Sequence, residues 1–279
     1  MHTKKYRRKA MILCIPGFVG FSIFYLIPFV KSLRYAFIND TFHKEFVWFS
    51  NFSEILKNKY FQLALRNTVI FSLVGVFLLL TLSFFLTLGL SSVVRKSEII
   101  KNAFLLPMLL PTISTIFVWR AVFDSDLYFS WMKTGNGFLE VLPIYILFLW
   151  KNTGINVILF TAAFSQLPEA VYDAAALDGA KGFNRLRYIT LPLITPTAFF
   201  VAILSLVNSM KVFKESFLFF ETGYPPDAAY TVQYYMNNHF QKLHYQNLAC
   251  ASTIVAVLIG ILICVVYRMQ NRYMRDVSL

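Results

Sequence analysis

Few residues in this 279-residue chain could do chemistry, and most of them stand inside apolar runs. Lys151, Asn152 and Asn156 fall in the run Val141 to Phe164, with the two asparagines one helical turn apart on one face. Ser205, Asn208, Lys211 and Glu215 follow one another at spacings of 3, 3 and 4, which places them on one helical stripe at the end of the run Leu193 to Phe213. Charges and amides in such surroundings are costly unless they face a water-filled cavity or one another. Two readings of Lys151, Asn152, Asn156, Ser205, Asn208 and Lys211 therefore stay open. One is a hydrogen-bonding lining for a hydroxylated solute; the other is helix-to-helix hydrogen bonding, with Lys211 and Glu215 paired one turn apart near the surface. Lys214, Glu215 and Arg120 sit where a long side chain can extend to water.

Constellations for covalent or acid–base catalysis are missing. No apolar run carries paired carboxylates, a histidine cluster or a nucleophile beside a base. Cys14, Cys250 and Cys264 all fall in apolar runs without C-x-x-C spacing, and behave as small apolar residues. His239 and His244 are five apart, off a shared helical face, so no metal site is expected. The sequence has no G-x-x-x-x-G-K-[ST], so by that criterion the chain does not itself bind ATP. It reads as a non-enzyme without cofactor.

The elements that position these residues follow from composition. Hydrophobic residues make up 57% of the chain and charged ones only 14%, against roughly 25% charged in an average soluble domain. A bilayer core of about 30 Å needs some twenty apolar residues per helix. Six runs qualify: Met11 to Val30, Thr68 to Leu90, Ala103 to Phe123, Val141 to Phe164, Leu193 to Phe213 and Leu248 to Tyr267. Alternating ten-residue segments, the mark of a closed barrel, are absent. The fold class is thus all-α, a polytopic membrane protein of six transmembrane helices. The expected organisation is a basic N-terminus 1–10, a first span 11–30, an outer loop 31–67, a core 68–267 with the other five spans, and a tail 268–279. The first run is too long for a signal peptide and lacks a small-residue cleavage site. Pro107 and Pro111 predict a kink in the third span.

The net charge of +12 would suggest nucleic acid in a soluble chain. Here it sorts by side: with the N-terminus inside, fourteen Lys and Arg fall on the cytoplasmic side and eight outside. We read the charge as topology and contact with anionic membrane lipid, with both termini cytoplasmic, and expect no nucleic-acid partner. The outer segments 38–66 and 217–247 are rich in aromatics, including Tyr230, Tyr234, Tyr235 and Phe240, which suits interfacial anchoring or partner contact.

Between the fourth and fifth spans lies a cytoplasmic stretch, 168–192, with its own punctuation. Pro168 and Glu169 suit a helix start, Asp173 to Ala176 a short helix, and Asp178-Gly179 a break. A second short helix fits Ala180 to Tyr188, and Pro192 marks a turn into the fifth span. Asp173-Ala174-Ala175, three residues, Gly179, nine residues, then Ile189-x-Leu191-Pro192 resembles the "EAA" loop of permease subunits from binding-protein-dependent ABC importers, with Asp173 in place of the usual glutamate. Leu177-Asp178-Gly179-Ala180 and Thr190-Leu191-Pro192-Leu193 are similar to the carbohydrate-uptake branch of that family, the maltose and glycerol-phosphate permeases. The likeness covers nearly the whole chain: Ile15-Pro16-Gly17, the segment Phe49 to Thr68, Trp150 with Gly154, and Thr222-Gly223 before Pro225-Pro226 all match, while Tyr224 and Asp124 to Gly137 depart from it.

This resemblance implies a type I ABC importer permease fold and a permease subunit forming the pathway for a sugar or oligosaccharide. It implies as partners two cytoplasmic ATPases that use the ATP, a second permease subunit and an extracytoplasmic solute-binding protein, and a location in the cell (inner) membrane. It assigns ATPase coupling to Asp173, Ala174, Ala175, Asp178, Gly179, Ala180, Ile189, Leu191 and Pro192. A transporter driven by an ion gradient is the alternative, and it calls for intramembrane acids and two broken-helix repeats that the sequence does not display.

Overall fold

The computed structural model describes residues 13–39, 45–123 and 137–277, so the basic stretch 1–10 and most of the segment Asp124 to Gly137 lie outside the described residues. Two units are distinguished, Met1–Gln62 with Tyr235–Val257, and Leu63–Tyr234 with Leu258–Leu279.

In the first unit, α1 (Leu13–Tyr35) is apolar along its length, and none of its most apolar stretch is buried within the chain. A helix apolar all round has lipid or another chain for a neighbour. It runs five residues beyond the expected end at Val30, taking in Lys31 and Arg34. The expected outer loop is therefore largely structured. Ile38 bridges Phe46, and the Asn51 amide donates to the carbonyls of Ala36 (3.1 Å) and Ile38 (2.8 Å) from α2 (Ser50–Lys57). Phe37 packs on Phe46, Phe49 and Phe52 around this turn.

The 38-residue α3 (Lys59–Lys96) starts where Asn58 caps it, accepting from the backbone N–H of Tyr60 (2.9 Å) and Phe61 (3.2 Å). It begins nine residues before the expected span because the cap lies upstream of the apolar run. Ser97 then caps α4 (Glu98–Leu109), accepting from Ile100 N at 3.4 Å.

The third span is broken rather than kinked: α4 and α5 (Thr112–Phe123) meet at 88°. Leu110 is extended (φ −66°, ψ 141°) because it precedes Pro111, whose ring disfavours helical geometry in the preceding residue. Pro107, one turn into α4 from its end, is accommodated inside the helix. Among the described residues five helices are long and apolar enough to cross a membrane, and the bent pair makes a sixth span if it crosses as one.

The second unit is organised around α6 (Gly137–Ser165), which packs against α4, α8 (Leu191–Met210) and α9 (Phe213–Phe220). Its N-terminal half meets Phe71 and Leu79 of α3, with the Tyr145 ring tilted against Phe71 and the Phe148 ring edge-on to it. Glycine at 154 is required by the crossing with α4: a Cβ there would come within 1.7 Å of the Phe104 carbonyl oxygen, a backbone atom that cannot rotate away. We expect Gly154→Val to destabilise the chain by at least the roughly 1–3 kcal/mol typical of overpacking. A fall in the thermal unfolding midpoint in detergent checks this, and an unchanged midpoint would contradict the tight crossing.

After α6 come α7 (Glu169–Leu177), a helical turn Gly182–Arg185 and the π-helical turn Leu186–Thr190, which joins α8 directly. The expected short helix thus starts at Gly182 and does not stop at Tyr188, and Pro192 lies within a continuous helical run instead of marking a turn. The π-turn just before it supplies the reason: proline offers no N–H and crowds the carbonyl four residues back, and a widened turn relieves both.

The segment after α9 folds inward, through a 3-10 turn (Asp227–Ala229) into α10 (Val232–Gln241) and then α11 (Tyr245–Val277). Tyr230, Tyr234 and Tyr235, expected to serve interfacial anchoring or partner contact, are buried within the chain, while Tyr224 and Phe240 stay exposed. Asn67 and Thr68 hold this segment to α3. The Asn67 amide donates to the carbonyls of Asp227 (2.5 Å) and Tyr230 (3.0 Å), and the Thr68 hydroxyl accepts from Val232 N (2.9 Å). Thr68→Val leaves that buried N–H unpaired, at a cost of about 1–3 kcal/mol. Faster amide hydrogen exchange at Val232 is the expected result; unchanged exchange would mean the bond is not holding the segment.

Candidate functional site: a polar pocket and a capped loop

Where α6, α8 and α9 converge beside the end of α4 they enclose a pocket of about 220 Å³. One wall is α6, with Phe148, Lys151 and Asn152; the other is Asn208, Lys211 and Glu215. The Lys151 ammonium donates to Glu215 Oε1 at 2.5 Å and to the Thr112 hydroxyl at 3.2 Å, tying α6 to α9 and to the first residue of α5. Both members of the pair are largely enclosed, their side chains 19% and 13% exposed. Asn208 Nδ2 donates to Asn152 Oδ1 (3.1 Å), and Asn152 Nδ2 to the Phe148 carbonyl (2.8 Å).

The structure separates these polar residues into two groups. Lys151, Asn152, Asn208 and Lys211 come together around the pocket. Asn156 and Ser205 do not line it: Asn156 Nδ2 donates to Ser205 Oγ at 3.0 Å, with each residue only 1% exposed, as a helix-to-helix bond. Lys211 and Glu215 do not pair. The helix ends at Met210 with Lys211 as its cap, and a new helix starts at Phe213, so the unbroken stripe that their spacing suggested does not exist. Glu215 turns to Lys151 instead, and it joins Thr112 as a site residue that sequence reasoning did not assign. The signal available was an acid within a few residues of an apolar run, matched to a lysine inside another. Arg120, expected to reach for water, pairs with Glu221.

The second feature is the loop that opens with α7. Pro168 precedes it in extended geometry (ψ 130°), and the helix closes in a Schellman motif. Ala180 N donates to the Ala175 carbonyl (2.9 Å) and Gly179 N to that of Ala176 (3.2 Å), while Gly179 takes φ +77°, a left-handed conformation natural to glycine. Ala175 is buried against the rest of the unit; Asp173, Ala174, Asp178 and Gly179 are exposed, as is Leu177 at 89%. Ala180 is half-buried. Ile189, Leu191 and Pro192 lie apart from this tip, on the helical run leading into α8. A bond of 3.2 Å between the Tyr172 and Thr190 hydroxyls joins loop to run, and the Arg185 guanidinium covers the Tyr172 ring at 5.3 Å. Among the described residues no three His, Cys, Asp or Glu side chains gather as metal ligands would.

The arrangement offers a polar cavity between membrane helices and, on the same unit, an exposed, Schellman-capped loop. Together they suit passage of a solute and contact with a partner. Comparisons with known proteins identify the family. The arabinooligosaccharides transport system permease protein AraP of Halalkalibacterium halodurans is 28% identical over 263 residues, covering 89% of this chain and 83% of that one. The sn-glycerol-3-phosphate transport system permease protein UgpA of Yersinia pseudotuberculosis is 27% identical over 281 residues, covering 95% of each. A chain of a bacterial alginate ABC transporter, crystallised in complex with an alginate pentasaccharide-bound periplasmic protein, shares the fold with a TM-score of 0.76 over 97% of this chain and 96% of that one, at 22% identity. Residues 88–276, which include the whole of the pocket and the loop, match the family described as the binding-protein-dependent transport system inner membrane component. The chain belongs to that family and is a multi-spanning membrane permease subunit.

Proposed function

We propose that the chain forms one half of the translocation pathway of an ATP-driven importer for a carbohydrate, that a second permease subunit forms the other half, and that a binding protein delivers the solute from outside. The observation that carries this reading is the exposed, Schellman-capped loop. Its tip is closed by the cap at Gly179, and Tyr172 ties it by one hydrogen bond to the helical run that enters the pocket wall. In this reading Asp173, Ala174, Asp178 and Gly179 face a groove of a cytoplasmic ATPase, Ala175 and Ala180 support them from behind, and Ile189, Leu191 and Pro192 carry the movement into α8. ATP binding and hydrolysis by the partner tilt that run, and the pocket is exposed alternately to the two sides. The arabinooligosaccharide and glycerol phosphate relatives, both hydroxylated-solute permeases by name, support the solute class. Asn152 and Asn208 line the pocket, and amide side chains, which both donate and accept, suit hydroxyl groups. An ion-gradient mechanism is not favoured, since the matched family works with a binding protein. The distribution of Lys and Arg supports a topology with both termini cytoplasmic.

Purification of the tagged chain from its native membrane in mild detergent, with partners identified by mass spectrometry, tests the assembly. Recovery of a P-loop ATPase and a second multi-span permease is the expected result. A chain that stays alone under conditions that preserve a known importer would overturn it.

A further inference from the structure

The charges around the pocket do not cancel. Glu215 is engaged by Lys151, and the other nearby carboxylate on this stretch, Glu221, is engaged by Arg120. Lys211 also lines the pocket, and its ammonium has no ion pair or hydrogen bond among the described residues. The pocket lining therefore carries one uncompensated positive charge together with the amides of Asn152 and Asn208 and the apolar Phe148. Lys211 is exposed at the margin of the pocket, where its charge draws in an anion with a strength that salt reduces and disfavours a solute that leaves it unpaired. With about 220 Å³ available, the pocket has room for a single sugar unit at a time rather than a folded chain.

We propose that this pocket selects solutes carrying a negative charge, a carboxylate or a phosphate ester on a hydroxylated body, and that Lys211 binds the anionic group while Asn152 and Asn208 bind hydroxyls. The inference rests on the reading of the pocket as part of the solute pathway. It differs from that reading in naming charge as the selected property and Lys211 as the residue that selects.

The test is isothermal titration of the intact permease complex in lipid nanodiscs with D-glucuronate, glycerol 3-phosphate, D-glucose and glycerol as probes. At least one anionic probe is expected to bind about tenfold or more tighter than its neutral counterpart, as a charge-assisted contact would give, and to weaken with added salt. Comparison of the carboxylate with the phosphate shows which anion is preferred. Lys211→Gln, at an exposed position that tolerates substitution, should remove the preference and leave neutral binding within about twofold, which is less than the step that one lost hydrogen bond makes. Asn208→Ser should weaken charged and neutral probes alike. Equal binding of glucose and glucuronate that Asn208→Ser lowers would overturn the charge selection and leave the pathway standing. Absence of binding, or binding indifferent to both Lys211→Gln and Asn208→Ser, would overturn the pathway reading and the proposal with it.

Discussion

Gly179→Trp should reduce transport to background while the chain still inserts, folds and reaches the membrane. The expectation follows from two properties of the position. A Cβ at residue 179 would meet nothing within 4 Å in the chain itself, so an indole there projects outward, into whatever approaches the loop. The only internal cost is the left-handed backbone at φ +77°, about 1–2 kcal/mol for a residue with a side chain. Gly179→Asn separates the two effects, because asparagine tolerates left-handed geometry and adds little bulk. We expect the asparagine variant to keep most of its uptake, and the tryptophan variant to lose both uptake and co-purification of the ATPase. Normal uptake of a labelled solute by Gly179→Trp would sink the docking of this tip. Equal loss in both variants would point to the Schellman cap, not to the contact.

Lys151→Met should destabilise the chain by about 3–5 kcal/mol, the usual consequence of removing one member of an enclosed ion pair. The lost charge leaves Glu215 facing a half-dry pocket wall, with its side chain only 13% exposed and with Lys151 as its ion-pair partner. Glu215→Leu strands Lys151 in the same way. The double variant removes both charges, so most of the stability should return, since paired apolar replacements of enclosed ion pairs are often neutral. Transport should not return with it, because the bonds that connect α6 to α9 and to Thr112 at the start of α5 are lost. Thermal unfolding in detergent beside uptake in cells reads the two effects separately. Single and double variants of equal stability would mean the pair is not coupled, and full uptake by the stable double variant would remove it from the pathway.

The outcome for these polar residues shows which information was local. Apolar runs of membrane length, the loop between the fourth and fifth spans and its break at Asp178-Gly179 are written in neighbouring residues. They follow from transfer of side chains out of water and from the backbone preferences of Pro and Gly, which act within a turn or two. The same stretch already carried the family resemblance. Even here the local signal stopped short at Pro111 and Pro192. Both prolines read as helix disturbances, yet one gives an 88° break and the other is absorbed by a π-turn. Which response occurs depends on whether surrounding helices satisfy the freed backbone groups.

Sequence alone thus determined a helical membrane permease, the position of its loop and the short roster of polar residues inside its spans. Tertiary structure decided what each of them does. Asn156 and Ser205, 49 residues apart, spend their hydrogen bond on each other, and Lys151 reaches Glu215 across 64 residues while Lys211 is left facing the pocket. Asn67 meets carbonyls 160 and 163 residues away, and Ala175 of the loop turns inward while Ala174 stays exposed. Burial and helix formation are set by a residue and its near neighbours, whereas the pairing of polar groups is set by which helix faces meet and at what height, and that depends on where each helix is broken.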